Sequence, residues 1–179
     1  MLLKIIQLCM PESFKKKKLS ELFQLTADAF QSEPSELRGF SFAECLSKYA
    51  LFTKEQAESY LKSGLPYEEV KHRLYQNSYI FGHNMRKSLH ILTWKEAVMV
   101  LKVVYKFIGI DFHYNRQGEI IIKQCFFSKY YSGEVCKLIS SLDIGLASGL
   151  SGGGRLSFNQ SITEGGSCCK GYFSRRALK

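Results

Sequence analysis

The hydrophobic period of this chain changes near Gly109, and that change limits the folds open to it. Before Gly109, apolar residues recur every three or four positions, as on amphipathic helices; after it, alternating runs appear around one further helical stretch. Leu19, Leu22, Phe23, Thr26 and Phe30 predict a helix over residues 14–31, which Pro34 and Gly39 interrupt. Phe42, Cys45, Leu46 and Tyr49 predict a second, short helix. Thr53 with Gln56 has the form of a capping box that starts a third, ended by Gly64. Residues 66–90 form the longest predicted helix, with Val70, Leu74, Phe81, Met85 and Leu89 on its apolar stripe and His72, His83 and His90 on the opposite, wet side. Thr93 with Glu96 caps a helix that runs through Ile108 to Gly109.

Ile110–Tyr114, a turn at Asn115–Gly118 and Glu119–Gln124 then predict a hairpin. A helix from about Ser128 to Leu146 follows. Next comes a glycine-rich stretch, Ser148–Gly154, expected to be a flexible connection or a lid. Arg155–Ser161 and Cys168–Phe173, turned by Glu164–Ser167, predict a second hairpin. The expected class is α+β: a helical N-terminal half, then a small antiparallel sheet of two hairpins with an intervening helix. Residues 1–179 are expected to form a single domain, with 1–92 a helical subdomain and 93–174 an α+β core.

At 45% hydrophobic and 13% aromatic residues, the chain can bury a core and is not of disordered composition. No apolar run reaches 18 residues, so a transmembrane helix is not expected. The short apolar start, Leu2 to Leu8, lacks the pattern of a signal peptide, so the six cysteines are expected to be reduced and the protein cytoplasmic. The net charge of +9, with a block at Lys15–Lys18 and a tail of Arg175, Arg176 and Lys179, points to a small anionic partner. No nucleic-acid-binding motif accompanies it, so nucleic acid is not the expected partner. A membrane is not expected either, and a homo-oligomer is left open.

Reactive side chains concentrate in the last third. Cys136 and Asp143 lie two turns apart on one predicted helix, with Ser140 near the same face. Cys125 sits at a strand-to-helix junction, where a helix N-terminus would favour a thiolate. Cys168 and Cys169 alternate on the last strand, so one of them faces inward, and Thr163 and Glu164 stand beside that strand. Such a set could form a pocket of thiols and a carboxylate. Equally, each cysteine could pack as a small hydrophobe. Zinc or an iron–sulfur cluster at Cys125, Cys136 and Cys169 is a further option, although no C-x-x-C pair is present and no cofactor is required.

Taken together, Cys125, Cys136, Asp143, Phe158, Thr163, Gly165, Gly166 and Cys168 or Cys169 resemble the C-terminal pattern of the L-2-amino-thiazoline-4-carboxylic acid hydrolase family, over about residues 95–173. Gly166 stands where that family often has Asp, and Phe126–Phe127 follow Cys125 in place of Pro-Phe. The segment is also similar to 4-vinyl-reductase-type small-molecule-binding domains, with Ser161 at a position often held by cysteine. The first resemblance implies hydrolysis of a non-peptide carbon–nitrogen bond in a cyclic amidine. Cys125, Cys136, Asp143 and Cys169 would then be catalytic, and Ser140, Thr163, Glu164 and Cys168 would contact substrate. The second implies a non-catalytic binding or sensor domain.

Overall fold

The computed structural model describes residues 11–175 and has the expected α+β architecture. Four helices come first: α1 (Glu12–Phe30), α2 (Phe42–Lys62), α3 (Tyr67–Ser88) and α4 (Trp94–Phe107). They are followed by β1 (Ile110–Tyr114), β2 (Glu119–Cys125), α5 (Gly133–Ser151), β3 (Arg155–Gln160) and β4 (Cys169–Ser174). Single 3-10 turns occupy Phe126–Lys129 and Ile162–Glu164. The antiparallel sheet has the order β1-β2-β4-β3, so the two hairpins join through β2 and β4. Ile110, Phe112, Ile120, Ile122, Leu156 and Phe173 point from it into the core. There Phe112 meets Tyr105, ring centroids 5.0 Å apart, and Phe173 meets Trp94 at 4.4 Å.

Thr53 does not start a helix. The true capping box is Ser41 with Glu44, and α2 continues without a break to Lys62. No proline or glycine lies between those ends, so nothing stops the helix once it is nucleated. The Thr53 hydroxyl instead donates back to Tyr49 O (2.9 Å) or Ala50 O (3.0 Å) and meets the Tyr131 hydroxyl. The hairpin turn at Asn115–Gly118 forms as expected. Asn115 Oδ1 accepts from the N–H groups of Gln117 (2.9 Å) and Glu119 (3.0 Å).

The largest departure concerns α3 and α5. Helix α5 starts later than predicted, capped by Ser132, and runs on to Ser151, so Ser148–Ser151 are helical and not loop. The buried stripe of α3 is Val70, Leu74, Ser78 and Gly82, whereas Leu89 is exposed. His72 is exposed, His83 stacks on Tyr79, and His90 lies beyond the helix in a left-handed conformation, so it leaves the helical face on which His72 and His83 stand. Small residues explain the shift. A Cβ on Gly82 would stand 2.5 Å from Leu146 O, and one on Gly149 would stand 2.7 Å from His83 N. On Gly145 it would overlap Ser78 and Tyr75 O. The two helices therefore touch backbone to backbone.

Gly152–Gly154 close this arrangement instead of forming a lid. Gly152 takes the left-handed C-cap, Gly154 N donates to Ser151 Oγ (2.8 Å), and a Cβ on Gly154 would run into the Trp94 ring. Arg86 Nη1 adds a bond to Leu150 O (3.1 Å). Arg73 Nε to Ala29 O (2.8 Å) and Asn77 Nδ2 to Leu25 O (2.9 Å) fasten α3 to α1. Among the described residues no helix is long and apolar enough to cross a membrane.

Replacing a helical glycine by alanine gains about 1 kcal/mol where space is open. At Gly82, Gly145 and Gly149 the added methyl meets backbone, so each alanine variant is expected to lose about 1–3 kcal/mol in urea unfolding.

Candidate functional site

A cavity of about 200 Å³ lies between α1, α3, α4 and α5. Its walls are overwhelmingly apolar. Leu22 comes from α1, Phe81 and Met85 from α3, Val100, Val104 and Ile108 from the α4 segment, and Ile139, Leu142 and Leu146 from α5. Polar groups gather in one region, where Asp143 and Ser140 of α5 join Tyr49 of α2, Tyr105 of α4, Tyr131, Cys125 and Cys136. Exposed Phe14 and Leu89 and half-buried Lys18 are also part of the wall.

Asp143 is the chemical centre. Protein surrounds its carboxyl, and the surface it retains faces the cavity. Burial raises its pKa to about 6, against a smaller opposing effect of the Tyr105 hydroxyl. Among the described residues Asp143 forms no ion pair and no hydrogen bond within bonding geometry. Tyr105 Oη is buried beside Asp143 and interacts with its carboxyl short of full hydrogen-bonding geometry; among the described residues no other group bonds to it. The other two phenols are satisfied, Tyr49 Oη by Thr26 Oγ1 at 3.1 Å and Tyr131 Oη by Thr53.

Both cavity thiols are held neutral. Burial pushes Cys125 up to about 12, outweighing the N–H groups of Phe127 and Ser128 that would favour the thiolate. Here the expectation of a dipole-activated thiolate is corrected. Cys125 ends β2 and precedes only a 3-10 turn, while the long helix begins at Gly133, too far along the chain for its dipole to compensate. Cys136 is pushed up to about 11, mainly by burial and against the Thr163 hydroxyl.

The remaining candidates lie behind the cavity wall, around the β3–β4 turn. Thr163 approaches Cys136 and lies 3.2 Å from Ser161 Oγ. Exposed Glu164 accepts from Ser161 Oγ (2.8 Å) and covers Gly133 at the start of α5. Cys169 is the inward-facing member of its pair: it packs against the core, and its Sγ accepts from Ile162 N (3.4 Å). Cys168 instead lies beside the Gln160 amide. Among the described residues no three His, Cys, Asp or Glu side chains are arranged to hold a metal ion. A zinc or iron–sulfur site at Cys125, Cys136 and Cys169 therefore has no ligand set.

The structure thus joins Cys125, Cys136, Ser140 and Asp143 on one cavity. It leaves Thr163, Glu164, Cys168 and Cys169 outside. Sequence reasoning missed Tyr49, Tyr105 and Tyr131. The available signal was a tyrosine within an otherwise aliphatic helix stripe, since a buried phenol needs a partner for its hydroxyl. Tyr131, in a short connection, gave no such signal.

Two solution properties follow. Between about pH 4 and pH 6 the folded chain holds more protons at Asp143 than the unfolded chain, so this group's contribution to stability falls as pH rises through that window. Asp143→Asn is therefore expected to exceed the parent in stability at pH 8 by at most ~3 kcal/mol, an advantage that shrinks toward pH 4. Chemical denaturation at both pH values checks this. At pH 8 Cys136 is expected to alkylate roughly 100-fold, and Cys125 roughly 1000-fold, more slowly than a free thiol, as read by mass spectrometry of iodoacetamide adducts.

No family model matches this chain, and no curated protein sequence matches it.

Proposed function

We propose that this chain binds a small, largely apolar organic molecule in the cavity, with Asp143 as the polar anchor. One observation carries the proposal: a carboxyl that forms no ion pair among the described residues stands, with the Tyr105 phenol beside it, at an otherwise apolar space of about 200 Å³. Buried polar groups are nearly always satisfied, and an apolar pocket with a few convergent polar groups is the usual form of a ligand site. Dry apolar cavities of about 150 Å³ hold benzene, so a ring with a short substituent fits here. The five free cysteines among the described residues suit the reducing, cytoplasmic setting inferred from the sequence.

A second reading is hydrolysis, and the raised basicity of Asp143 favours it. A carboxylate with a pKa near 6 is a better proton acceptor than an ordinary aspartate and is still ionised at neutral pH. The resemblance to the amino-thiazoline carboxylate hydrolases makes the carbon–nitrogen bond of a cyclic amidine the candidate target. Asp143 would take a proton from water as its oxygen adds to the amidine carbon and the C=N π pair moves to nitrogen, and would then return that proton to the leaving nitrogen as the carbon–nitrogen bond breaks. Cys125 and Cys136, with neutral thiols, would line the site and not attack.

Native mass spectrometry of the purified protein is expected to show a small organic molecule that leaves on denaturation. A chain that is always empty, and that binds no aromatic probe, would overturn the binding proposal. If an amino-thiazoline carboxylate is turned over, Asp143→Asn is expected to slow it at least ~100-fold, and the rate should rise with pH through about 6. Cys125→Ser and Cys136→Ser should remain within about tenfold of the parent, since neither thiol is an activated nucleophile.

A further inference from the structure

Among the described residues the surroundings of Asp143 contain acids and no base. The titratable groups that feel its charge are Tyr49 from α2, Tyr105 from α4, Cys125 from the end of β2, Cys136 on its own helix and, from behind the cavity wall, Cys169 of β4. None of them can carry a positive charge. The basic residue on the cavity wall, Lys18, is already engaged, with its Nζ 2.6 Å from Glu21 Oε2 and set over the rings of Phe14 and Phe81. An ionised Asp143 is thus a buried charge with no counterion among the described residues, which is costly unless something pairs with it.

Aromatic rings accompany the carboxyl. Tyr49, Tyr105, Phe127 and Tyr131 all line the cavity with Asp143. Phe127 stacks with Tyr131 (centroids 5.5 Å apart) and meets Tyr49 edge to face at 6.0 Å. Rings grouped around an acid favour an organic cation, because the ring faces are electronegative and the cation's hydrocarbon surface suits an apolar wall. Tyr105 is 1% exposed, and its hydroxyl interacts with the Asp143 carboxyl short of full hydrogen-bonding geometry, so the carboxyl keeps accepting capacity for a ligand.

We propose that the cavity selects a hydrophobic organic ammonium, a single positively charged nitrogen on an alkyl or aryl body, with the nitrogen against Asp143 and among Tyr49, Tyr105, Phe127 and Tyr131. A primary ammonium has three N–H donors, enough for both carboxylate oxygens. This selection rests on the small-molecule reading of the cavity. It also separates the site from the chain as a whole: the net charge of +9 attracts anions at long range, but the unpaired charge inside the cavity is negative.

Three soluble probes of similar shape test it: 2-phenylethylammonium, 2-phenylethanol and phenylacetate, titrated into the full chain at pH 8 by calorimetry or ligand-observed NMR. The ammonium is expected to bind at least tenfold more tightly than the other two. Asp143→Asn should lose that margin while still binding the alcohol, which shows that the variant is folded. In the parent, lowering the pH from 8 to 5 should weaken the ammonium about tenfold by protonating Asp143, and leave the alcohol unchanged. If the alcohol or phenylacetate binds as tightly as the ammonium, the cation proposal fails and the small-molecule reading survives. If none of the three binds, both fail. Tight ammonium binding that persists in Asp143→Asn would also overturn the assignment.

Discussion

Gly82 of α3 lies against Leu146 and Gly149 of α5, and Gly145 of α5 lies against Tyr75 and Ser78 of α3, so the two backbones nearly touch, and the rest of the molecule is arranged around that seam. Helix axes usually keep the distance their side chains impose. Here the only groups at the contact are hydrogens and the small side chains of Ser78 and Ser148, so the helices close up further. The larger residues of both helices are displaced to its flank. Phe81 and Met85 of α3, with Ile139, Leu142, Asp143 and Leu146 of α5, thereby turn toward α1 and α4 and wall the cavity. The seam that excludes side chains and the space that lacks them are two results of one packing choice.

Chemistry at the cavity follows from dielectric more than from residue identity. Two thiols and a carboxyl share the wall, and desolvation acts on all three in the direction of the neutral form. For the thiols the outcome is inertness, since the thiolate is out of reach near neutral pH. For the carboxyl it is the reverse. Asp143 starts from a much lower pKa, so the same penalty brings it close to neutrality, where proton exchange and pairing with a charged ligand are both accessible. Burial therefore moves the functional emphasis from sulfur to oxygen.

Much of the fold was legible in the sequence. The switch from helical to alternating pattern at Gly109, the Thr93–Glu96 capping box and the Asn115–Gly118 turn are local signals, each satisfied within a few residues, and the structure has all three. Thr53–Gln56 failed because a capping box acts only where a helix begins, and no breaker precedes Thr53 in α2. Ser148–Ser151 failed for a non-local reason. Serine and glycine are poor helix formers in isolation, and here they are held helical by the close approach of α3.

The same division applies to the site. From the sequence alone came the pairing of Cys136 with Asp143 on one helix, and with Ser140 beside them, because a 3.6-residue repeat fixes which side chains share a face. The place of Cys125 at the end of a strand was equally local. The tertiary structure decided that Tyr49, Tyr105 and Tyr131, remote in sequence, converge on that face, and that Cys169 and Thr163 stop short of it. It also decided which group is chemically poised. Ionisation depends on the water and charge within a few ångströms, and for Asp143 those surroundings come from α2, α4, β2 and β4, none of which its own helix could specify.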